Sequence, residues 1–190
     1  MEKITLQELL KIDITGKVVC FPTDTVYGVG AKVDDLEAIN KIYQMKHRDT
    51  SKPLAILCGK VEQIIDYTQN ISPKAYELME KYWPGALTII FEKSNSLSDE
   101  ITKGLPTVAF RMPNSEVALS ILNHFGLMAT TSVNISGDKE MNDVDLIYQT
   151  FDGYIDYIVT DYQELVSLPS TIVDSRNLKV LRQGSVKINA

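Results

Sequence analysis

The sequence predicts an α/β (α+β) domain built around a mixed sheet. Apolar runs of strand length alternate with longer stretches of helical periodicity, and Pro, Gly and Asn punctuate most junctions. No internal repeat, low-complexity tract or long linker divides the 190 residues, so a single domain, 1–190, with a sizeable core is expected.

The elements follow in order. Thr5 and Glu8 have the spacing of a capping box for a short first helix. Residues 17–21 read as a buried strand that Pro22 stops. Asp34 and Glu37 open a helix whose Leu36, Ile39, Ile42 and Tyr43 share one face. Residues 53–58 form the next apolar strand. Ser72-Pro73 is a cap and first-turn pair for a helix to about Trp83, where Pro84-Gly85 breaks it. Residues 86–92 and 107–112 are strand candidates. A helix starting at Asn114 runs through Val117, Leu119, Ile121 and Leu122 to Gly126. Residues 127–131, 157–160, 170–173 and 179–181 complete the strands.

Composition narrows the function classes. With 44% hydrophobic and 23% charged residues, the chain is an ordinary globular sequence rather than a disordered one. Its apolar runs are too short to span a bilayer, and its start lacks the basic and apolar regions of a secretory leader, so a cytoplasmic location is expected. Cys20 and Cys58 sit in apolar runs and read as buried thiols of a reducing compartment. With only two histidines and no Cys/His cluster of ligand spacing, no metal ligands are expected among the side chains. The net charge of −6 is the wrong sign for a whole-surface nucleic-acid module, although a local basic cleft remains compatible with it.

Polar residues gather at strand ends. Pro22-Thr23-Asp24-Thr25-Val26-Tyr27-Gly28-Val29-Gly30 is either a turn with tight glycines or a place where backbone passes close to a ligand. It lacks the third glycine of a dinucleotide fingerprint, and no Gly-Lys-Ser/Thr phosphate loop exists, so side chains would have to hold any nucleotide. Lys46-His47-Arg48 with Lys52 either balances a helix dipole or cradles a polyphosphate. Alternation places Thr107, Ala109 and Arg111 on one strand face. Arg111 there either pairs with an internal carboxylate or grips that of an amino-acid ligand. Ser132 and Asn134, two apart in a hydroxyl-rich segment, share a face if the strand persists; an ordinary strand exit is the other reading.

In this order the segments resemble the YrdC family. That family shows a Pro-Thr-Asp/Glu-Thr-Val-Tyr-Gly-Leu-Gly stretch, a Lys-x-Arg, a Ser-x-Asn and a late Ser-Thr-[Ile/Val]-[Ile/Val]-Asp. Here they stand as Pro22 to Gly30, Lys46-His47-Arg48, Ser132-Val133-Asn134 and Ser170-Thr171-Ile172-Val173-Asp174. Trp83-Pro84-Gly85-Ala86-Leu87-Thr88 and Leu181-Arg182-Gln183-Gly184 also look like family signatures, so the resemblance covers nearly the whole chain.

The resemblance implies a YrdC-like twisted open mixed sheet with a large concave cavity, in the short single-domain, TsaC-like branch. It implies L-threonylcarbamoyladenylate synthesis: L-threonine, bicarbonate or CO2 and ATP give threonylcarbamoyl-AMP and pyrophosphate. A downstream threonylcarbamoyl transferase complex then modifies tRNA, whose direct contact with this chain would be weak or indirect. Carried over by motif, Thr25, Arg111, Ser132 and Ser170 would bind threonine. Arg48, Lys52, Thr107, Asn134, Asn142 and Arg182 would bind ATP with its Mg2+, and Lys46 and Arg48 would be catalytic. Departures from the pattern are Asp49 in place of a proline, a missing histidine at Leu57-Cys58, and Asn142 where Thr or Ser is frequent. Two alternatives stand beside this reading: an RNA-binding module on the same concave face, and a paralogue making another carbamoyl adenylate.

Overall fold

The fold was taken from a computed structural model that describes residues 1–188. In chain order the elements are β1 (Glu2–Ile4), α1 (Leu6–Leu9), β2 (Val19–Pro22), β3 (Tyr27–Lys32), α2 (Leu36–Lys46), β4 (Ala55–Leu57), a 3-10 helix (Val61–Tyr67) and β5 (Thr68–Gln69). Then come α3 (Pro73–Tyr82), β6 (Leu87–Lys93), α4 (Asp99–Thr102), β7 (Thr107–Arg111), α5 (Glu116–Phe125) and β8 (Met128–Ser132). The last are α6 (Val144–Phe151), β9 (Tyr157–Val159), β10 (Thr171–Asp174) and β11 (Lys179–Arg182).

Among the described residues the strands form one mixed sheet in the order β1-β9-β2-β3-β8-β4-β7-β6-β10-β11, with β5 pairing β6 beside that path. This bears out the expected α/β class. The parallel pairs are β1·β9, β2·β9, β4·β7 and β6·β10; the rest are antiparallel.

Strand alternation sorts the side chains into core and cavity. On β6, Leu87, Ile89 and Phe91 are buried with Val108 and Phe110 of β7, Ile56 of β4 and Val29 of β3. Ile39, Ile42 and Tyr43 of α2 and Ala75, Leu78 and Met79 of α3 cover this face. A second apolar cluster joins Val117, Ala118, Ile121 and Leu122 of α5 to Leu9, Val19, Phe21, Leu57 and Met128. Leu57 belongs to that cluster and also lines the cavity, so the packing of α5 stops where the cavity begins.

Local signals explain most boundaries. The Thr5–Glu8 capping box forms, with Glu8 N donating to Thr5 Oγ1 at 3.3 Å and Thr5 N to Glu8 Oε2 at 2.8 Å. Ser72 caps α3 as expected. Two caps fall one residue later than read: Asp35, not Asp34, accepts from Ala38 N at 3.0 Å, and Ser115, not Asn114, accepts from Ala118 N at 3.1 Å. In each case the neighbouring side chain one residue on has the reach to the third helical amide. Elements that escaped the sequence reading are β1, β3, the 3-10 helix, β5, α4 and α6. All but the eight-residue α6 are seven residues or fewer, too short for strong periodicity. The β3 strand was hidden because its Tyr27-Gly28-Val29-Gly30 looks like a turn.

Candidate functional site

A cavity of about 780 Å³ lies on the sheet face that α5 leaves open. Its floor is set by the pleat: Thr88 and Ile90 of β6, Ala109 and Arg111 of β7, Ala55 and Leu57 of β4, and Ile172 of β10 all point into it. Gly28 of β3 also lines it. A Cβ there would meet Thr130 Cγ2 at 2.9 Å, so the glycine keeps the floor low at that point.

Of the residues expected to bind threonine, Thr25, Arg111, Ser132 and Ser170 all line this one cavity. Of those expected to bind ATP or act catalytically, Lys46, Arg48, Lys52, Asn134 and Arg182 line it too. Thr107 and Asn142 do not. Thr107 shares the face of Ala109 and Arg111 but sits at the far end of β7, opposite Glu92. Asn142 turns its Oδ1 to accept from the backbone N of Tyr27 at 3.0 Å, tying the segment after β8 to the start of β3. That bond takes one of the two acceptor sites of Oδ1 and holds the side chain outside the residues that line the cavity.

Arg111 is buried, and its guanidinium is held on three sides. Nε donates to Gly85 O at 3.0 Å, Nη1 to Thr25 Oγ1 at 2.9 Å, and Nη2 to Asp24 Oδ1. Both alternatives left open by the sequence are therefore compatible: an internal ion pair exists, and one N–H on each terminal nitrogen remains. Burial pulls the guanidinium pKa down and the Asp24 carboxylate opposes it. The carbonyl of Gly85 reaches Arg111 because the Trp83-Pro84-Gly85 turn is anchored, with Trp83 Nε1 donating to Leu87 O at 2.7 Å and Gly85 N to Met112 O at 2.8 Å.

On the opposite wall, α2 ends at Lys46, and His47 takes the left-handed conformation (φ 50) that turns the chain toward Arg48. Arg48 donates from Nε to Lys52 O at 3.3 Å and from Nη2 to Pro53 O at 3.1 Å. Lys52 is exposed and its ammonium has no acceptor among the described residues. The strand β8 ends at Ser132, yet Ser132 Oγ still reaches Asn134 Oδ1 at 2.8 Å. Ser170 Oγ pairs with Thr88 Oγ1 at 2.7 Å and accepts from Arg182 Nη2 at 3.2 Å. Asp49, Asp138 and Glu140 bring carboxylates to the rim.

The sequence reading missed Asp24 as the partner of Arg111, Thr88 as that of Ser170, and the apolar floor of Ile90, Ala109 and Ile172. For Thr88 and Ile90 the signal was present: β6 alternates large apolar and cavity-facing residues. No group of three or more His, Cys, Asp and Glu able to hold a metal occurs among the described residues.

Five cationic side chains and a set of hydroxyls around one concave cavity suit an anionic ligand together with a small polar one. Comparison with known proteins narrows this. Residues 13–184 match the Sua5/YciO/YrdC family, described as telomere recombination. A Bacillus subtilis (strain 168) threonylcarbamoyl-AMP synthase is 38% identical over 159 residues, covering 83% of this chain and 46% of that protein. A Methanocaldococcus jannaschii protein is 32% identical over 190 residues, 98% of this chain and 88% of its own length. The crystal structure of Pyrococcus abyssi Sua5 complexed with L-threonine superposes with a TM-score of 0.88 at 31% identity, over 97% of this chain and 58% of that one. The chain spans about half the length of the Bacillus relative it matches. Matched motifs, fold and cavity agree: this chain belongs to the Sua5/YciO/YrdC family.

Proposed function

We propose that the cavity makes threonylcarbamoyl-AMP, as an ATP-dependent nucleotidyltransferase of tRNA processing acting in the cytoplasm. The observation that supports this most is that the whole threonine set and, of the ATP set, Arg48, Lys52, Asn134 and Arg182 line a single cavity. The relatives named as threonylcarbamoyl-AMP synthases and the threonine-bound Sua5 structure point the same way.

In this reading the remaining N–H groups of Arg111 receive the threonine carboxylate, and the hydroxyls of Thr25, Ser132 and Ser170 surround its polar groups. The threonine amine attacks CO2 and releases a proton, or attacks bicarbonate with loss of water, to give a carbamate. A carbamate oxygen then attacks the α-phosphorus of ATP, and pyrophosphate leaves with its electron pair on the bridging oxygen. Arg48, Lys52 and Arg182 face the phosphates and offset the charge that develops on them. Mg2+ enters as part of the MgATP substrate, held by its phosphates. Catalysis rests mainly on holding two substrates in line, which a single shared cavity supports.

The test is pyrophosphate release from ATP by purified protein with Mg2+ and bicarbonate. Release that depends on L-threonine supports the assignment; none from folded protein rejects it. Salt-sensitive tRNA binding without any nucleotide turnover would instead indicate an RNA-binding module. The product would be consumed by a threonylcarbamoyl transferase complex acting on tRNA.

A further inference from the structure

Among the described residues that line the cavity, Lys46 is the cation whose N–H donors are all engaged within the protein. The residue is 1% exposed, and its ammonium donates to three oxygens: Ser132 O at 2.6 Å, Asn134 O at 3.1 Å and Asn134 Oδ1 at 2.5 Å. Three protons meet three acceptors, so no donor is left for a ligand. All three acceptors are neutral, and no carboxylate lies within ion-pairing distance of Lys46 among the described residues. The three N–H groups are therefore engaged within the protein while the charge itself is unpaired.

That geometry is a stitch between α2 and the segment after β8. Asn134 works from both ends, its Oδ1 receiving Lys46 and Ser132 while its Nδ2 donates to Asp138 O at 2.8 Å. The backbone oxygen of Lys46 itself accepts from Ser136 N at 2.9 Å, and Met141 N closes the loop on Val133 O at 2.8 Å. Lys46 thus grips the 132–141 segment with its main chain and with its side chain. That segment carries Ser132, Asn134, Ser136, Gly137, Asp138 and Glu140 to the cavity wall.

Resting on the function proposed above, we infer that Lys46 is a positioning residue: it sets the wall from Ser132 to Glu140 and does not touch the phosphates, which Arg48, Lys52 and Arg182 meet. Those three keep unused donors, since Arg48 has two of its five N–H groups engaged and Lys52 none. Burial, then the like charge of Arg48, pull the Lys46 pKa down to about 8, with Glu140 acting the other way. A neutral Lys46 has two protons for three acceptors, so the stitch loosens above that pH.

The experiment is nuclear magnetic resonance on the wild-type chain with 15N-labelled lysine, using inorganic tripolyphosphate with Mg2+ as the probe. The Lys46 ammonium signal should be slowly exchanging below pH 7 and should stay in place, without coupling to phosphorus, when tripolyphosphate saturates. A large shift or a nitrogen–phosphorus coupling would overturn the inference. The amide resonances of Ser132 and Asn134 should titrate with a midpoint near 8 in the wild type. They should not do so in folded Lys46→Met, where L-threonine affinity also falls at least about tenfold because Ser132 is displaced. Loss of tripolyphosphate binding alone, with threonine affinity intact, would mark Lys46 as a phosphate ligand. If the wild type binds neither probe the proposed function fails, and the titration of the two amides still decides the role of Lys46.

Discussion

Arg182 donates twice to one atom: its Nε at 3.0 Å and its Nη2 at 2.9 Å both reach the backbone oxygen of Ser170. The same Nη2 also reaches Ser170 Oγ at 3.2 Å. A residue assigned to ATP is thereby bolted to one assigned to threonine. Arg182 can hold Ser170 in place and still offer Nη1 to a phosphate.

The two ligand sites should therefore be coupled through this pair. Arg182→Ala should weaken ATP and L-threonine by about tenfold each, or ~1.4 kcal/mol. Titrating each ligand against thermal stability, alone and with the other present, would measure it. An effect confined to ATP would separate the two roles.

Removing Arg111 leaves the Asp24 carboxylate, 16% exposed at its side chain, without its partner. Arg111→Ala should cost about 3–5 kcal/mol of folding stability, and the Arg111→Ala/Asp24→Asn pair distinctly less. Denaturant midpoints of the two variants give the comparison. In whatever fraction folds, threonine affinity should fall by about 2–5 kcal/mol.

Lys46 also predicts a pH signature. Its folded pKa of about 8 lies below its ordinary value of 10.5, so between these limits the unfolded chain binds the extra proton. Stability then rises with pH in that window from this group. Burial raises both cysteine pKa values, Cys58 to about 12, and their contribution falls with pH above about 9. The difference between wild type and Lys46→Met, followed by urea unfolding from pH 7 to 10, isolates the lysine. Wild type should gain relative to the variant as pH rises.

Those cysteines should be silent. Cys20 and Cys58 are fully buried, and burial alone is the leading cause holding them as thiols. A chromogenic disulfide reagent should label neither in the native protein and both after unfolding.

Gly184 packs directly against the backbone that carries Ser170. A Cβ there would sit 2.2 Å from Pro169 O and 2.5 Å from Ser170 C and Thr171 N. Since none of these atoms can rotate away, Gly184→Ala should cost about 1–3 kcal/mol and shift β10. Chemical denaturation and threonine affinity should both register it, whereas Gly16→Ala, with open space around it, changes stability only through its positive φ.

Much was legible in the chain before any coordinates. Hydrophobic periodicity gave α2, α3 and α5, because each must bury one stripe, and apolar runs gave most sheet strands. The motif order identified Thr25, Arg48, Arg111, Ser132 and Arg182 as cavity residues. Short elements such as β1 and α4 were not legible, since three or four residues carry too little periodicity to read. β3 was missed because glycines that permit close approach look like those of a turn.

The sequence by itself determined the fold class, the family and the chemical types available to the cavity. Only the tertiary structure decided which of those side chains remain free. Asn142 is partly engaged by Tyr27, Arg111 partly by Asp24, and Lys46 fully by Ser132 and Asn134, contacts bridging 86 to 115 residues. Hydrogen bonds of that range follow from which strands become neighbours, and β-sheet order is set by packing of the whole sheet rather than by any local run.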